Sequence, residues 1–166
     1  MNNEYMIWFF ASAFFVLFIV AKIQGDVNEN KRLLRSGIFE IDSMHGRVFE
    51  KYLNALFLSL GYEVNLTSYV GDWGADLIIS KDGVKTVVQA KRYKNSVGVK
   101  AIQEVCAAKG KYKCHSAMVV TNNFYTRPAI ALARANKVYL WDRHDLINSL
   151  AKLNIQKETD CGIPNH

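Results

Sequence analysis

At 166 residues the chain has room for one domain of ordinary size and a short extra element. Lys and Arg outnumber Asp and Glu by 21 to 15, a formal charge of +6, which suits a polyanionic partner or an anionic membrane surface. Cys106, Cys114 and Cys161 are odd in number and lack C-x-x-C or Cys/His zinc spacing, which excludes a disulfide framework and a zinc ribbon and predicts reduced thiols in a cytosolic domain. Cys106 reads as a small core residue rather than a nucleophile.

Tyr5 to Ala21 is an uncharged, almost wholly apolar run. As a helix it reaches about 25 Å against a hydrocarbon core of about 30 Å, and Lys22, which can snorkel, with Ile23 extends it. Tyr5 and Trp8 stand near one end, where interfacial aromatics are expected. A secretory signal wants a basic start, which Met1-Asn2-Asn3-Glu4 lacks, and a small-x-small cleavage site, which Ile19-Val20-Ala21 supplies poorly. A buried core helix is the other rival, but the run is apolar on every side. A single transmembrane helix over residues 1–24 is therefore expected. Lys22, Lys31, Arg32 and Arg35 follow the span, so the positive-inside rule puts the C-terminal domain in the cytoplasm. Residues 25–41 read as a polar juxtamembrane linker, with room for a short interfacial helix.

The first helix of the soluble part is predicted from about Ser43 to Leu60, capped by Asp42 or Ser43 and ended by Gly61. Phe49, Leu53, Leu56, Phe57 and Leu60 form its buried stripe, with Glu50 at the stripe's edge. Tyr62–Tyr69 reads as a strand, Val70–Gly74 as a glycine-rich turn capped by Asp72, and Ala75–Ser80 as a second strand. Lys81-Asp82-Gly83 marks a hairpin into a third strand, Thr86–Tyr93. A helix over Val99–Lys111, a strand over Ala117–Thr121, a helix over Thr126–Asn136 with Thr126 capping and Pro128 in the first turn, and a strand over Val138–Trp141 come next. Asp142 caps a last helix to about Leu153, and residues 154–166 read as a frayed tail. A strand meander followed by alternating helices and strands predicts a mixed sheet with helices on both faces, a domain spanning residues 42–153.

The chemistry centres on Glu50, Asp76 and Gln89-Ala90-Lys91. Strand alternation puts Gln89 and Lys91 on one face and Ala90 on the other. If the two strands are neighbours, one sheet edge presents an acid, an amide oxygen and an ammonium. Taken alone these residues also read as a turn-capping acid, a surface amide and a solvated lysine.

The blocks around them resemble the Mrr-like branch of the PD-(D/E)xK nuclease superfamily, known from restriction endonucleases. His45-Gly46-Arg47-Val48-Phe49-Glu50 is similar to its opening G-x-x-F-E helix. Leu60-Gly61-Tyr62 with Gly71-Asp72-Trp73-Gly74-Ala75-Asp76-Leu77-Ile78-Ile79 is similar to its metal-acid strand. Val88-Gln89-Ala90-Lys91-Arg92-Tyr93 is similar to its Q-A-K strand, Val97-Gly98-Val99 to the next helix start, and Val119-Val120-Thr121-Asn122 to a later strand. The likeness covers about Asp42 to Leu150. It implies a restriction-endonuclease-like three-layer α/β/α domain with Glu50, Asp76, Gln89 and Lys91 as the catalytic set. Gln89 stands where many relatives carry Glu, and Gln there is usual in the Mrr-like branch.

Magnesium takes one or two protein carboxylates and fills its octahedron with water, so Glu50 and Asp76, the Gln89 amide oxygen and the Ala90 carbonyl are the candidate ligands of Mg²⁺, with Mn²⁺ as a substitute. Lys91 is expected to orient or deprotonate the attacking water and to stabilise phosphate charge. Arg92, Lys94, Lys100 and Gln103 are the candidate contacts to DNA phosphates, which position a duplex without reading its sequence; a merely solvated charge run is the other reading. The expected function is a membrane-anchored, metal-dependent DNA endonuclease of the type IV restriction class, with a homodimer or a separate target-recognition subunit as partner. A non-catalytic nucleic-acid-binding module tethered to the membrane, or a nuclease for branched DNA or RNA, are the alternatives.

Overall fold

The computed structural model describes residues 3–67 and 74–160. The expected end of the first strand at Tyr69, the capping role of Asp72 and the thiol of Cys161 lie outside those residues. The chain opens with one helix, α1 (Asn3–Leu33), followed by a short α2 (Ile38–Ser43) and α3 (Gly46–Ser59). Strands β1 (Glu63–Leu66), β2 (Leu77–Lys81) and β3 (Val84–Lys91) come next, then α4 (Val99–Lys111), β4 (Ser116–Thr121), α5 (Arg127–Ala135), β5 (Val138–Trp141) and α6 (Arg143–Asp160).

The five strands form one sheet in the order β1-β2-β3-β4-β5. β1, β2 and β3 are antiparallel neighbours, and β3, β4 and β5 are parallel. The β2–β3 pair needs only the two-residue turn at Asp82 and Gly83, both with positive φ (52° and 77°), as an Asp-Gly hairpin requires. Each parallel pair instead needs a crossover, which α4 and α5 supply. Strand alternation then divides the core. Leu77, Ile79, Val88 and Val120 face Phe49, Tyr52, Leu53, Leu56 and Phe57 of α3 and Leu146 of α6. Val87, Ala117, Val119 and Val138 face Ala101, Ile102, Val105 and Ala108 of α4 and Ala129 and Ala133 of α5. The small residues on the second face let α4 and α5 approach closely, and the three expected layers result.

Local signals hold where they are strongest. α4 and β5 have the expected bounds, and the Thr126 hydroxyl accepts from Ala129 N with Pro128 in the first turn of α5. Asp142 Oδ1 accepts from His144 N at 2.7 Å, capping α6. Other expectations are corrected. The tether expected from residue 25 is helical as far as Leu33, because Gly25 costs a helix only about 1 kcal/mol and the segment gains tertiary partners: Glu29 pairs with Lys51 at 2.9 Å, and Leu33 is buried in the core. α3 begins at Gly46, not Ser43, since the extended Met44 (ψ 146°) separates it from α2. Neither Asp42 nor Ser43 caps α3. Ser43 donates to Glu40 O, and Asp42 accepts from Arg143 and Asn122. α6 continues to Asp160, beyond the expected stop at Leu153.

α1 holds a stretch, Trp8–Leu33, long and apolar enough to cross a membrane.

Candidate active site

Asp76 sits one residue ahead of β2, where the edge of the sheet opens. Its backbone already belongs to the sheet: its N–H donates to Val88 O and its carbonyl accepts from Thr67 N. Its carboxylate is turned toward β3. Oδ2 accepts two short hydrogen bonds, from Gln89 Nε2 and from the Ala90 N–H, both at 2.6 Å. Bonds of this length to a carboxylate are the charge-assisted kind, and two of them fix its direction.

Gln89 is buried, 4 % exposed, and its Oε1 has no hydrogen-bond partner among the described residues. An orphaned buried amide oxygen is costly, by about 1–3 kcal/mol. The space around it is kept by Gly74 at φ +81°, where a Cβ would fall 3.0 Å from Gln89 Oε1 and 2.7 Å from Glu104 Cβ. Asp76 Oδ2 thus meets the Gln89 amide nitrogen, while Oε1 lies on the side of Gly74. The Asp76 carboxylate and the Gln89 amide oxygen are hard oxygens of the kind magnesium takes. A half-turn of the Gln89 amide would bring Oε1 to the Asp76 side, where only a bound cation could hold the two oxygens together. Among the described residues no three His, Cys, Asp or Glu side chains converge on a metal position, so a zinc-type ligand set is not formed there.

Lys91 stands two residues along β3 on the same face as Gln89, as alternation requires. Its Nζ lies 2.7 Å from Glu104 Oε2 on α4, with the two side chains 16 % and 29 % exposed. Sequence reasoning singles out Gln103 on this helix and misses Glu104. The signal existed, because Glu104 is i+3 from buried Ala101 and i−4 from buried Ala108 and so borders the face that α4 turns to the sheet. Gln103, one residue back, is exposed.

The other named residues are distributed around this edge. Glu50, partly buried on α3, lines a separate cavity of about 150 Å³ with Arg47, Lys51, Leu66 and Thr67. It approaches from the opposite layer to α4, with Thr67 joining the two sides through its bonds to Ala75 O and Asp76 O. Lys100 is exposed and 4.0 Å from Glu104 Oε1. Lys94 lines a cleft of about 230 Å³ with Asp42, Tyr93, Asn122, Asn123 and Arg143, at the C-terminal ends of β3 and β4. Arg92 is partly buried, and its charge helps hold Asp42 down. The main cause there is the hydrogen bond from Arg143 at 2.7 Å, which keeps the Asp42 carboxyl below the usual aspartate value. Burial raises the thiols of Cys106 and Cys114, the opposite of what a nucleophile needs.

A mixed sheet clothed by helices on both faces, with an Asp–Gln pair and a lysine at one edge, defines the restriction-endonuclease class of fold. The chain belongs to the restriction endonuclease family with an Mrr-type catalytic domain, whose family model matches residues 41–150. Among solved structures it is similar to the DNA modification-dependent restriction endonuclease AspBHI, at TM-score 0.57 and 22 % identity over 76 % of this chain and 36 % of that one. It also matches the MspJI restriction endonuclease in complex with a 27-mer oligonucleotide (TM-score 0.41, 19 % identity, 75 % and 30 % covered) and a protein of unknown function, AF1548 (TM-score 0.47, 18 % identity, 54 % of each chain). The chain spans between about a third and about half of the length of these structures. No curated protein matches it.

Proposed function

We propose that the protein is a membrane-anchored DNA endonuclease that hydrolyses phosphodiester bonds with a divalent cation, Mg²⁺ or Mn²⁺. The single observation that carries this reading is the contact of Asp76 with Gln89, with Lys91 beside it on the same strand face. Asp76, Gln89 and the Ala90 carbonyl would hold the ion, and Glu50 is the acid that can join from α3. When bound, such an ion lowers the pKa of water and neutralises phosphate charge. The chain's own residues do the rest. Lys91, held by Glu104, presents an ammonium where charge gathers on the phosphate and orients the attacking water. Arg92, Lys94, Lys100 and Gln103 lie at the same end of the sheet and position the DNA backbone.

The anchor reading rests on α1. Its apolar run is unburied, with Trp8, Phe9, Phe14 and Phe18 exposed by 61–75 %, whereas a core helix would bury such side chains. Its basic flank favours a cytoplasmic nuclease domain, and a double-strand cut needs two chains.

The test is cleavage of plasmid DNA by the full-length chain in detergent micelles with Mg²⁺ or Mn²⁺. Asp76→Asn and Lys91→Ala are each expected to cut at least about a thousandfold more slowly while still unfolding in one cooperative transition above the assay temperature. Equal cutting by wild type and variants removes the reading. Salt-dependent DNA binding with no nicking under either metal assigns the chain to non-catalytic binding instead.

A further inference from the structure

The long helix α1 also fixes which end of the domain faces the bilayer. Its last turns lie on α3: Glu29 pairs with Lys51, and Asp26, Glu29 and Asn30 share a cavity of about 340 Å³ with Lys51, Asn54, Leu58 and Leu66. Leu33 is buried in the core cluster that also holds Ile41 and Met44, on the short connection from α1 to α3, and Phe49 of α3. α1 therefore runs antiparallel to α3, and the C-terminal end of α3 points back toward the apolar span. Lys51 to Leu60 covers about 13 Å of helix at about 1.5 Å per residue. The same length counted back along α1 from Glu29 reaches Val20, at the inner end of the apolar run. That end of α3 leads through Gly61 into β1, whose first residue, Glu63, pairs with Ser80 beside the β2–β3 hairpin.

The parallel strands β3, β4 and β5 all begin at this end. Lys85 N donates to His115 Nδ1 and Lys85 Nζ to Tyr112 O, so the hairpin and the α4–β4 turn adjoin. Pairing of Ala117 with Val138 brings in the α5–β5 turn. These turns carry Lys81, Lys85, Lys111, Lys113 and Lys137, while the acids on them and on the start of β1 are Asp82 and Glu63. Lys113 and Lys137 hold the left-handed positions of their turns, φ 50° and 54°, and both are exposed. Leu58 and Val84, 44 % and 49 % exposed, add apolar contacts at the same end.

We propose that this lysine-bearing end of the sheet docks on the headgroups of an anionic phospholipid bilayer. The inference rests on the anchor reading above. A lysine near an anionic surface contributes about fivefold in affinity, so several together hold the domain upright on the membrane. β3 runs about 23 Å from Val84 to Lys91 at about 3.3 Å per residue, which puts the Asp76–Gln89–Lys91 edge on the side away from lipid, open to DNA. The same lysines could instead serve nucleic acid, but the direction of α1 turns them toward the bilayer.

The experiment uses the full-length chain in nanodiscs of phosphatidylcholine alone and of phosphatidylcholine with about 30 % phosphatidylglycerol, read by amide hydrogen exchange. The turns at 81–85, 111–115 and 136–138 are expected to exchange at least about tenfold more slowly on the anionic discs. The double variant Lys113→Asn, Lys137→Asn is expected to lose most of that protection, since Asn tolerates the left-handed turns and leaves the fold intact. Equal exchange on both discs, with the chain retained in them, overturns the docking and leaves the anchor standing. A chain that does not remain with the discs overturns both. Protection by duplex DNA on neutral discs, without any effect of anionic lipid, gives the surface to nucleic acid and overturns the proposal.

Discussion

Replacing Gln89 with a glutamate tests whether residues 76 and 89 share one cation. In the wild type the amide donates to Asp76 Oδ2 at 2.6 Å from a position only 4 % exposed. Gln89→Glu removes a hydrogen bond to a charged group, worth about 1.5–3 kcal/mol, and sets a second buried carboxylate against the first. A loss of about 3 kcal/mol is expected without metal at neutral pH, a fall in Tm of about 10 °C for a domain of this size. Like-charge contact raises the folded-state pKa of the pair above the unfolded glutamate value of about 4.3. The sign follows: the variant is least impaired below pH ~4.3, where the introduced carboxyl is protonated and can donate to Asp76, and it loses stability as pH rises through the raised folded pKa. A Mg²⁺ ion shared by residues 76 and 89, as proposed, would bind the paired, ionised form, so its stabilising effect should be larger in Gln89→Glu than in wild type. The assay is thermal unfolding in EDTA and in Mg²⁺ across pH ~4 to ~8. A variant as stable as wild type in EDTA, with no greater response to Mg²⁺, refutes the shared site.

Glu104→Gln leaves a neutral partner 2.7 Å from Lys91 and removes the ion pair that positions the ammonium. Cleavage should slow by about ten- to a hundredfold in kcat with KM little changed, and Glu104→Asp should recover part of the loss, whereas a merely structural role would lower Tm and leave kcat unmoved. Asp42→Asn weakens the tie from α2 to Arg143, and because the Asp42 pKa is lowered in the fold, its contribution is present above the ordinary value of 3.8 and lost as pH falls through the folded value. Acid unfolding of the variant should therefore show a shallower loss of stability below that pH than the wild type does, and identical acid limbs would count against the pair.

What was legible in the sequence is what depends on neighbours along the chain. Asp82-Gly83 dictates a tight hairpin because both positions need positive φ, Thr126 and Pro128 start α5 because a hydroxyl and a fixed φ suit a first turn, and strand alternation puts Gln89 and Lys91 on one face. That β2 and β3 are neighbours was also readable from the hairpin, and their register then brings Asp76 to Gln89. What only the tertiary structure decided is what depends on how elements are turned against one another. Glu104 rather than Gln103 meets Lys91 because one residue rotates a helix by about 100°, and the azimuth of α4 is set by Ala101, Val105 and Ala108 packing on the sheet. Asp42 caps no helix because Arg143, distant in sequence, reaches it first. The helix α1 continues past its apolar run because Leu33 finds a core that exists only once α3 and the sheet have assembled. Local sterics are written residue by residue, but burial is a property of the assembled layers, and burial chose these partners.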